Sequence, residues 1–243
     1  MSYKQYISYV RLNDPINEQS YLNTLPVIQF LTDNERLDFS KNITFFVGEN
    51  GTGKSTLLEA IAISFGFNPE GGTKNFNFST NNSHSELWKN IVLGKANFPK
   101  DGFFLRAESF YNAISYIDEV ESTHNYGDTS LHEQSHGESF LSLVQHRFGG
   151  NGLYILDEPE AALSPMRLMT LMVEVKRLLE NNSQFIIATH SPILLTFPDA
   201  EIFEFSDTGI KTVSYKETEH YQITKSFLDN PDKMLRYLFD DSL

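Results

Sequence analysis

The 243-residue chain contains no cysteine, so disulfide bonds, thiolate metal sites and cysteine nucleophiles are excluded. It also lacks any apolar run close to the ~20 residues that a membrane-spanning helix requires. Its first residues are polar and aromatic and contain no apolar signal-peptide core. We therefore expect a cytoplasmic protein with no direct membrane insertion.

Basic residues are also scarce. The chain has 19 lysines and arginines against 32 acidic residues, which gives a net charge of −13. An autonomous nucleic-acid-binding protein normally presents a broad basic surface, so we expect no strong intrinsic binding to nucleic acid. The remaining composition, with 40% apolar and 21% charged residues, is that of an ordinary globular protein.

A glycine-rich turn stands between a predicted strand and a predicted helix. Residues 48–55 read Gly-Glu-Asn-Gly-Thr-Gly-Lys-Ser, after the apolar run 43–47. Glycines let successive backbone N–H groups point inward, and the helix start adds the positive end of its dipole. This pattern predicts a phosphate-binding loop for a nucleoside triphosphate, in which Lys54 contacts the β- and γ-phosphates and Ser55 ligates Mg²⁺. The predicted nucleotide-binding residues of this loop are Gly48, Glu49, Asn50, Gly51, Thr52, Gly53, Lys54, Ser55 and Thr56.

Two acidic residues and a histidine follow later apolar runs. Asp157 and Glu158 come directly after the predicted strand 153–156, and His190 follows the predicted strand 185–188. Parallel strands end at the same edge of a sheet, where the phosphate loop also emerges. We expect Asp157 to hold Mg²⁺, Glu158 to orient and deprotonate the attacking water, and His190 to contact the γ-phosphate.

Strands that alternate with helices predict an α/β fold with a mainly parallel sheet, helices on its faces and an antiparallel β edge. The predicted strands cover residues 6–12, 27–31, 43–47, 103–105, 153–156 and 185–188, with edge strands at 201–205 and 210–215. The predicted helices cover residues 54–65, 110–120, about 139–148 and 165–180, with another near Pro231. We expect one domain over residues 1–243, with a core lobe of about 1–69 and 149–243. Residues of about 70–148 are expected to form an inserted, mostly helical subdomain.

One further motif suggests a different chemistry. Residues 132–136 read His-Glu-Gln-Ser-His, which matches the H-E-x-x-H pattern of zinc proteases. That pattern requires both histidines on one face of a continuous helix, with a third ligand downstream. Gly137 follows at once, and the turn-forming residues 127–130 lie just upstream. We therefore expect no zinc protease site.

The whole series of motifs resembles the ABC-type ATPase superfamily. Residues 48–55 match its Walker A motif, and residues 153–158 match its Walker B motif. Residues 135–138, Ser-His-Gly-Glu, resemble its signature, and residues 161–165 are similar to its D-loop. His190 stands at the position of the switch histidine. Within the superfamily the chain most resembles small, stand-alone soluble ATPases, which are related in style to the SMC and recombination-repair ATPases.

The resemblance implies that the ligands are ATP and Mg²⁺. It also implies a head-to-tail homodimer in the ATP-bound state, with ATP held between the Walker A motif of one subunit and the signature of the other. Ser135, Gly137 and Glu138 would then bind the nucleotide of the partner subunit. Glu108 is the nearest match to the Q-loop residue and so a further metal contact, and Tyr21 is the candidate for stacking on adenine.

Three functions remain in competition. The leading interpretation is a Mg²⁺-dependent ATP hydrolase whose dimer closure acts on an unidentified macromolecular partner, with DNA maintenance and defence as candidate processes. The alternative is the nucleotide-binding subunit of an ABC transporter whose membrane part is another chain. The altered signature, with His136 in place of glycine, and the missing Q-loop glutamine favour the first. A regulatory module that binds ATP without turnover is disfavoured by the presence of Glu158 and His190.

Overall fold

A computed structural model describes residues 5–69, 71–72, 85–106, 110 and 135–239. The strands are β1 (Ile7–Leu12), β2 (Leu37–Asp38), β3 (Ile43–Gly48), β4 (Ile91–Lys95), β5 (Asp101–Arg106), β6 (Gly152–Asp157), β7 (Gln184–Ala188), β8 (Glu201–Ser206) and β9 (Gly209–Thr212). The α-helices are α1 (Pro26–Asp33), α2 (Lys54–Phe65), α3 (His136–Arg147), α4 (Pro165–Glu180), α5 (Glu219–Asp229) and α6 (Pro231–Phe239). In the part of the chain so described, no helix is both long and apolar enough to cross a membrane.

Two sheets organise these elements. The larger sheet has the order β5-β6-β7-β3-β8-β9, in which β9 alone runs antiparallel to its neighbour. The smaller sheet is antiparallel and has the order β2-β1-β4. The architecture is therefore an α/β fold with a mostly parallel sheet and an antiparallel β edge, as the sequence predicts.

The large sheet is covered on both faces, which explains its continuous apolar strands. Every residue of β3, β6 and β7 is buried. Along β3, Phe46 packs on the face that carries α1, α2 and the small sheet, whereas Phe45 and Val47 pack on the face that carries α3 and α4. The alternation follows from the two-residue period of a strand. The sheet thus lies between two hydrophobic cores. The carboxyl ends of its strands are therefore a rigid support for a site.

Several predicted helix ends are confirmed. The helix after the phosphate loop covers Lys54–Phe65, as predicted, and ends at Gly66, whose φ of 110° suits a left-handed cap. The Ser164 side chain caps α4 by accepting a hydrogen bond from the Arg167 N–H. Helix α3 starts three residues earlier than predicted.

The predicted strand at 27–31 is wrong, because these residues lie in α1. Pro26 occupies the first turn, where its missing N–H costs nothing. Val27, Ile28 and Leu31 are buried on one side of the helix. Apolar residues at these spacings share a helical face and do not alternate as a strand requires.

The prediction that residues 201–205 form an edge strand is also wrong. Strand β8 lies between β3 and β9, so of the two predicted edge strands only β9 lies at an edge of the described sheet. Strand β8 carries two acidic side chains, and both accept hydrogen bonds from backbone N–H groups. Glu201 accepts from Ser40 at 3.0 Å, and Glu204 accepts from Glu219 at 3.1 Å. These donors satisfy the carboxylates within an interior strand.

The expected helical insertion at 70–148 needs correction in its described part. Strand β4 pairs with β1 in the small sheet, and β5 pairs with β6 in the large one. Both strands therefore belong to the two sheets and not to a separate subdomain. Their apolar residues are part of the two hydrophobic cores that cover the large sheet. The predicted helix at 110–120 lies outside the described residues, except for Phe110. The domain boundaries stay a prediction.

Candidate nucleotide-binding site

The phosphate loop joins β3 to α2, and glycine is required at both of its ends. Gly48 has a φ of 135°, and a Cβ there would lie 2.1 Å from the carbonyl oxygen of Phe205. Gly53 has a φ of 95°, and a Cβ there would lie 2.4 Å from Cγ1 of Val27. No other residue fits these contacts and angles without strain. The neighbouring backbone and α1 therefore fix the shape of the loop.

Lys54 is held against the loop that precedes it. The residue is 5% exposed, and its Nζ donates hydrogen bonds to the carbonyl oxygens of Gly48 at 2.6 Å and Glu49 at 2.7 Å. Burial lowers the pKa of Lys54, while the charges of Glu158 and Asp157 oppose that shift. The structure thus places an ammonium group beside the N-terminus of α2, where anions bind best.

Ser55 and Asp157 meet although 102 residues separate them in the chain. The Ser55 hydroxyl donates a hydrogen bond of 2.9 Å to Oδ1 of Asp157, the buried last residue of β6. Hydroxyl and carboxylate oxygens are the donors that Mg²⁺ prefers, so this pair fits the predicted metal. Glu108, the third predicted metal contact, lies outside the described residues, so its role stays a prediction.

The sequence analysis missed Arg106, which belongs to the same network. Arg106 ends β5 directly beside Asp157, and its Nε lies 3.7 Å from Oδ2 of that residue. Its Nη1 donates to Oε2 of Glu59, a buried residue of α2, at 2.5 Å. The arginine thereby compensates two buried carboxylates and links three elements. A charged residue at the end of a buried strand is the same signal that pointed to Asp157.

The structure places Glu158 and His190 side by side. The N–H of Glu158 donates to the carbonyl oxygen of Ala188 at 2.9 Å, which ties the two strand ends. Glu158 has a φ of 51°, a left-handed conformation that costs a non-glycine residue energy and often occurs at functional sites. Its Oε1 lies 3.5 Å from Nε2 of His190, and its side chain is 44% exposed. The carboxylate thus faces both the imidazole and solvent.

His190 has two partners that the sequence analysis did not assign to the site. Its backbone N–H donates to Oε1 of Glu160 at 2.5 Å, and its Nδ1 lies 2.8 Å from Nε2 of His220 on α5. Burial lowers the pKa of His190, and the charge of Lys54 lowers it further, against the effect of Glu158. Burial and the charge of Lys54 thus favour the neutral form of the imidazole. His220 gave no sequence signal, because it lies 30 residues away on a separate element.

Of the signature-like residues, Ser135 and Glu138 are exposed and form a helix cap, and Gly137 is buried beneath it. Ser135 precedes α3, and Oε2 of Glu138 accepts hydrogen bonds from its N–H at 3.0 Å and its hydroxyl at 2.6 Å. Arg167 of α4 donates to the Ser135 hydroxyl at 3.1 Å and to Oε1 of Glu138 at 2.8 Å. A Cβ on Gly137 would lie 2.7 Å from Nη1 of this arginine. The hydrogen bonds from Ser135 and Arg167 lower the pKa of Glu138, so the cap carries a carboxylate paired with a guanidinium.

Two remaining assignments stay predictions. Tyr21 starts the 3₁₀ turn Tyr21–Thr24 and is 61% exposed, so its ring is accessible to a planar ligand. His132 and Glu133 lie outside the described residues, and α3 begins only at His136. Among the residues with a described position, no cluster of three or more His, Asp or Glu side chains could hold a metal.

Comparisons with known proteins agree with this geometry. Residues 27–135 match the model of a family described as an AAA domain, and residues 121–196 match a second, described as an AAA domain, putative AbiEii toxin, type IV TA system. Together the two matches contain the phosphate loop, the acidic pair and His190. A curated relative is the tungstate uptake system ATP-binding protein TupC of Campylobacter jejuni, which is 24% identical over 83% of this chain and 69% of its own.

Similar solved structures have low sequence identity. One is CbiO1 from Clostridium perfringens, part of the ABC transporter complex cbiONQ, with 19% identity and a TM-score of 0.49. That match covers 98% of this chain and all of the other. Another is the SMC head domain from Thermotoga maritima, with 17% identity and a TM-score of 0.43 over 86% of this chain and 99% of that one.

Proposed function

We propose that the chain is an ATPase of the AAA/ABC type and that two copies of it build composite sites in which Mg²⁺-ATP is hydrolysed. The observation that carries the proposal is the contrast between the two halves of the predicted site. Lys54 and Asp157 are buried; Lys54 is hydrogen-bonded to the loop carbonyls, and Asp157 accepts a hydrogen bond from Ser55. The cap at Ser135 and Glu138 is exposed, and its hydrogen bonds stay within the cap and α4.

Binding of the triphosphate falls to the phosphate loop. The backbone N–H groups of residues 49–53 and the start of α2 attract the phosphate oxygens. Lys54 supplies the positive charge for the β- and γ-phosphates, exchanging its carbonyl partners for phosphate oxygens. Ser55 and Asp157 would hold Mg²⁺, which withdraws negative charge from the phosphates when bound.

Hydrolysis requires a base and a hydrogen-bond donor at the γ-phosphate. Glu158 accepts a proton from water as the water oxygen attacks the γ-phosphorus and the bond to the bridging oxygen of ADP breaks. Its half-exposed carboxylate leaves room for that water. The neutral His190 donates from Nε2 to a γ-phosphate oxygen, and Glu160 holds its backbone in place.

The partner subunit would complete the site with Ser135, Gly137 and Glu138. Arg167 pairs with the Glu138 carboxylate and so reduces its repulsion of a phosphate. ATP would therefore promote a homodimer, and closure of that dimer would act on a macromolecular partner in the cytoplasm. The net charge of −13 favours a protein partner over direct, tight binding of nucleic acid.

A transporter subunit is the second candidate function. Similarity to TupC, named as the ATP-binding protein of a tungstate uptake system, favours it. In that case a separate membrane chain would bind the ATPase. A permease gene next to this one, together with co-purification of its product from detergent extracts, would support transport over the leading proposal.

Replacement of Glu158 tests the proposal. Glu158→Gln keeps the side chain's size but cannot accept the proton, so we expect turnover to fall by about 10²–10⁴-fold with ATP affinity retained. The trapped ATP should hold a dimer on a sizing column. The exposed Glu180 on α4 provides the matched control, and Glu180→Gln should behave as wild type. Undiminished turnover, or a monomer at saturating ATP, would contradict the proposal.

A further inference from the structure

We propose that His220 is a positioning residue that fixes the tautomer of His190, so that Nε2 of His190 carries its proton toward the nucleotide. The inference rests on the proposed role of His190 as a donor to the γ-phosphate. Helix α5, which carries His220, would then help to orient the hydrogen-bond donor of His190.

The contact between the two rings is a hydrogen bond. Nδ1 of His190 lies 2.8 Å from Nε2 of His220, and the ring centroids are 5.0 Å apart with an interplanar angle of 47°. A hydrogen bond between two neutral imidazoles needs one N–H donor and one bare nitrogen. Two arrangements are therefore possible, and they place the remaining proton of His190 on different atoms.

The burial of His220 favours one arrangement. Its Nδ1 is shielded from solvent and has no hydrogen-bond partner among the described residues. A buried N–H without an acceptor is the rarer and costlier situation, whereas a bare acceptor is better tolerated. Nδ1 of His220 is therefore the bare nitrogen. Nε2 of His220 carries the hydrogen and donates a hydrogen bond to Nδ1 of His190.

Glu158 selects the same arrangement independently. Its Oε1 lies 3.5 Å from Nε2 of His190. A protonated Nε2 faces this carboxylate favourably, whereas a bare Nε2 would set a lone pair against a negative oxygen. Both ends of His190 thus require the Nε2–H tautomer, which is the one that can donate to a phosphate oxygen.

The pair is also kept neutral. Burial lowers the pKa of both histidines, and the charge of Lys54 is the next cause in each case. Glu158 acts on His190 in the opposite sense, and Glu219, Glu204 and Glu49 do so on His220.

His220 is anchored so that it can act as a fixed donor. It lies in the first turn of α5, which Thr218 caps by accepting from the N–H of Tyr221 at 3.4 Å. Thr218 is fully buried, and the adjacent N–H of Glu219 donates to Glu204 of β8. No described residue of α5 or α6 is itself buried, so this first turn is what ties the two helices to the site. A partner that displaced α5 would therefore also remove the hydrogen bond that fixes the tautomer of His190.

The experiment combines ¹⁵N-histidine NMR of the full chain with steady-state ATPase kinetics. The variants are His220→Leu, which removes the donor, and His220→Gln, whose amide N–H replaces it. His146→Gln, on the exposed last turn of α3, is the matched control. Signals of His190 are assigned by their loss in His190→Gln, and thermal unfolding checks that each variant folds.

We expect the Nε2–H tautomer at His190 in wild type and in His146→Gln. In His220→Leu the fraction of the Nε2–H tautomer should fall, because Glu158 alone then favours it, and kcat should fall about three- to tenfold with KM unchanged, as for loss of one hydrogen bond. His220→Gln should restore both readouts. An Nδ1–H tautomer at His190 in wild type would overturn the inference, as would an unaltered tautomer in a folded His220→Leu. If wild type lacked ATPase activity, the proposed function would fail, and the tautomer measurement would still decide the role of His220.

Discussion

The phosphate loop and the signature-like cap both lie at helix N-termini, but they differ in burial and in the hydrogen bonds that hold them. At the loop, Lys54 is 5% exposed and Asp157 is 7% exposed, and their hydrogen bonds link three elements. At the cap, the side chain of Glu138 is 54% exposed and its bonds reach only its own turn and Arg167. The loop is thus preorganised inside the fold. The cap lies on the surface, where we propose that a second subunit binds it.

Replacement of Gly48 should have the largest effect on the buried half. Gly48→Ala puts a Cβ against the backbone of Phe205, at a positive φ. We expect the free energy of unfolding to fall by about 2–6 kcal/mol, the sum of backbone strain and overpacking. Gly51→Ala is the control, because its φ of 85° is also positive but no atom lies within 4 Å of the added Cβ. Chemical denaturation measures both, and equal losses would mean that the close packing of the loop is unimportant.

Removal of the buried charge should have the next largest effect. Lys54→Ala deletes a charge-assisted contact to phosphate, and we expect ATP affinity to fall roughly ten- to a hundredfold, or about 1.5–3 kcal/mol. Isothermal titration calorimetry measures it. Lys176→Ala, an exposed lysine of α4, should bind ATP as wild type does. Unchanged affinity in Lys54→Ala would place the nucleotide elsewhere.

The smallest effect is expected at the cap. Arg167→Ala leaves the Glu138 carboxylate uncompensated but touches no residue of the phosphate loop. Because the ion pair is exposed, we expect only about a two- to fivefold fall in ATP turnover at saturating ATP, with ATP affinity of the monomer intact. Arg177→Ala, which breaks an ion pair with Glu174 on the same helix, is the matched control. An equal loss in both variants would reduce the cap to an ordinary helix terminus.

The same contrast explains what the sequence could predict. The phosphate loop, its helix and the strand before Asp157 follow local rules, because glycine spacing, apolar runs and helix caps are short-range signals. Once the strands are predicted to be parallel, the residues that directly follow them are also predicted to lie near each other, at the carboxyl edge of the sheet. The sequence alone therefore predicts that Ser55 and Asp157 lie close together.

The failures have equally specific causes. Residues 27–31 contain β-prone residues, but tertiary packing of one face made them helical. His220 acts through a partner 30 residues away, so no spacing pattern predicts it. Arg106 ends a buried strand, as Asp157 does, but its partner Glu59 lies 47 residues away and is not evident from the sequence. The strand at 91–95 was not predicted, and the predicted strand at 103–105 was assigned to a helical insertion, although the two strands join the two sheets.

The central claim is that each ATP site is shared between two chains, and mixing two inactive variants tests it most directly. Lys54→Ala disables every phosphate loop, and Ser135→Arg places a bulky cation where the opposing γ-phosphate must dock. A mixed dimer contains one site with an intact Lys54 and an intact Ser135 from opposite chains. Random assortment of equal amounts should therefore restore up to about a quarter of wild-type ATP hydrolysis. Wild-type activity in Ser135→Arg alone, or no recovery when mixed dimers are shown to form, would contradict the shared site.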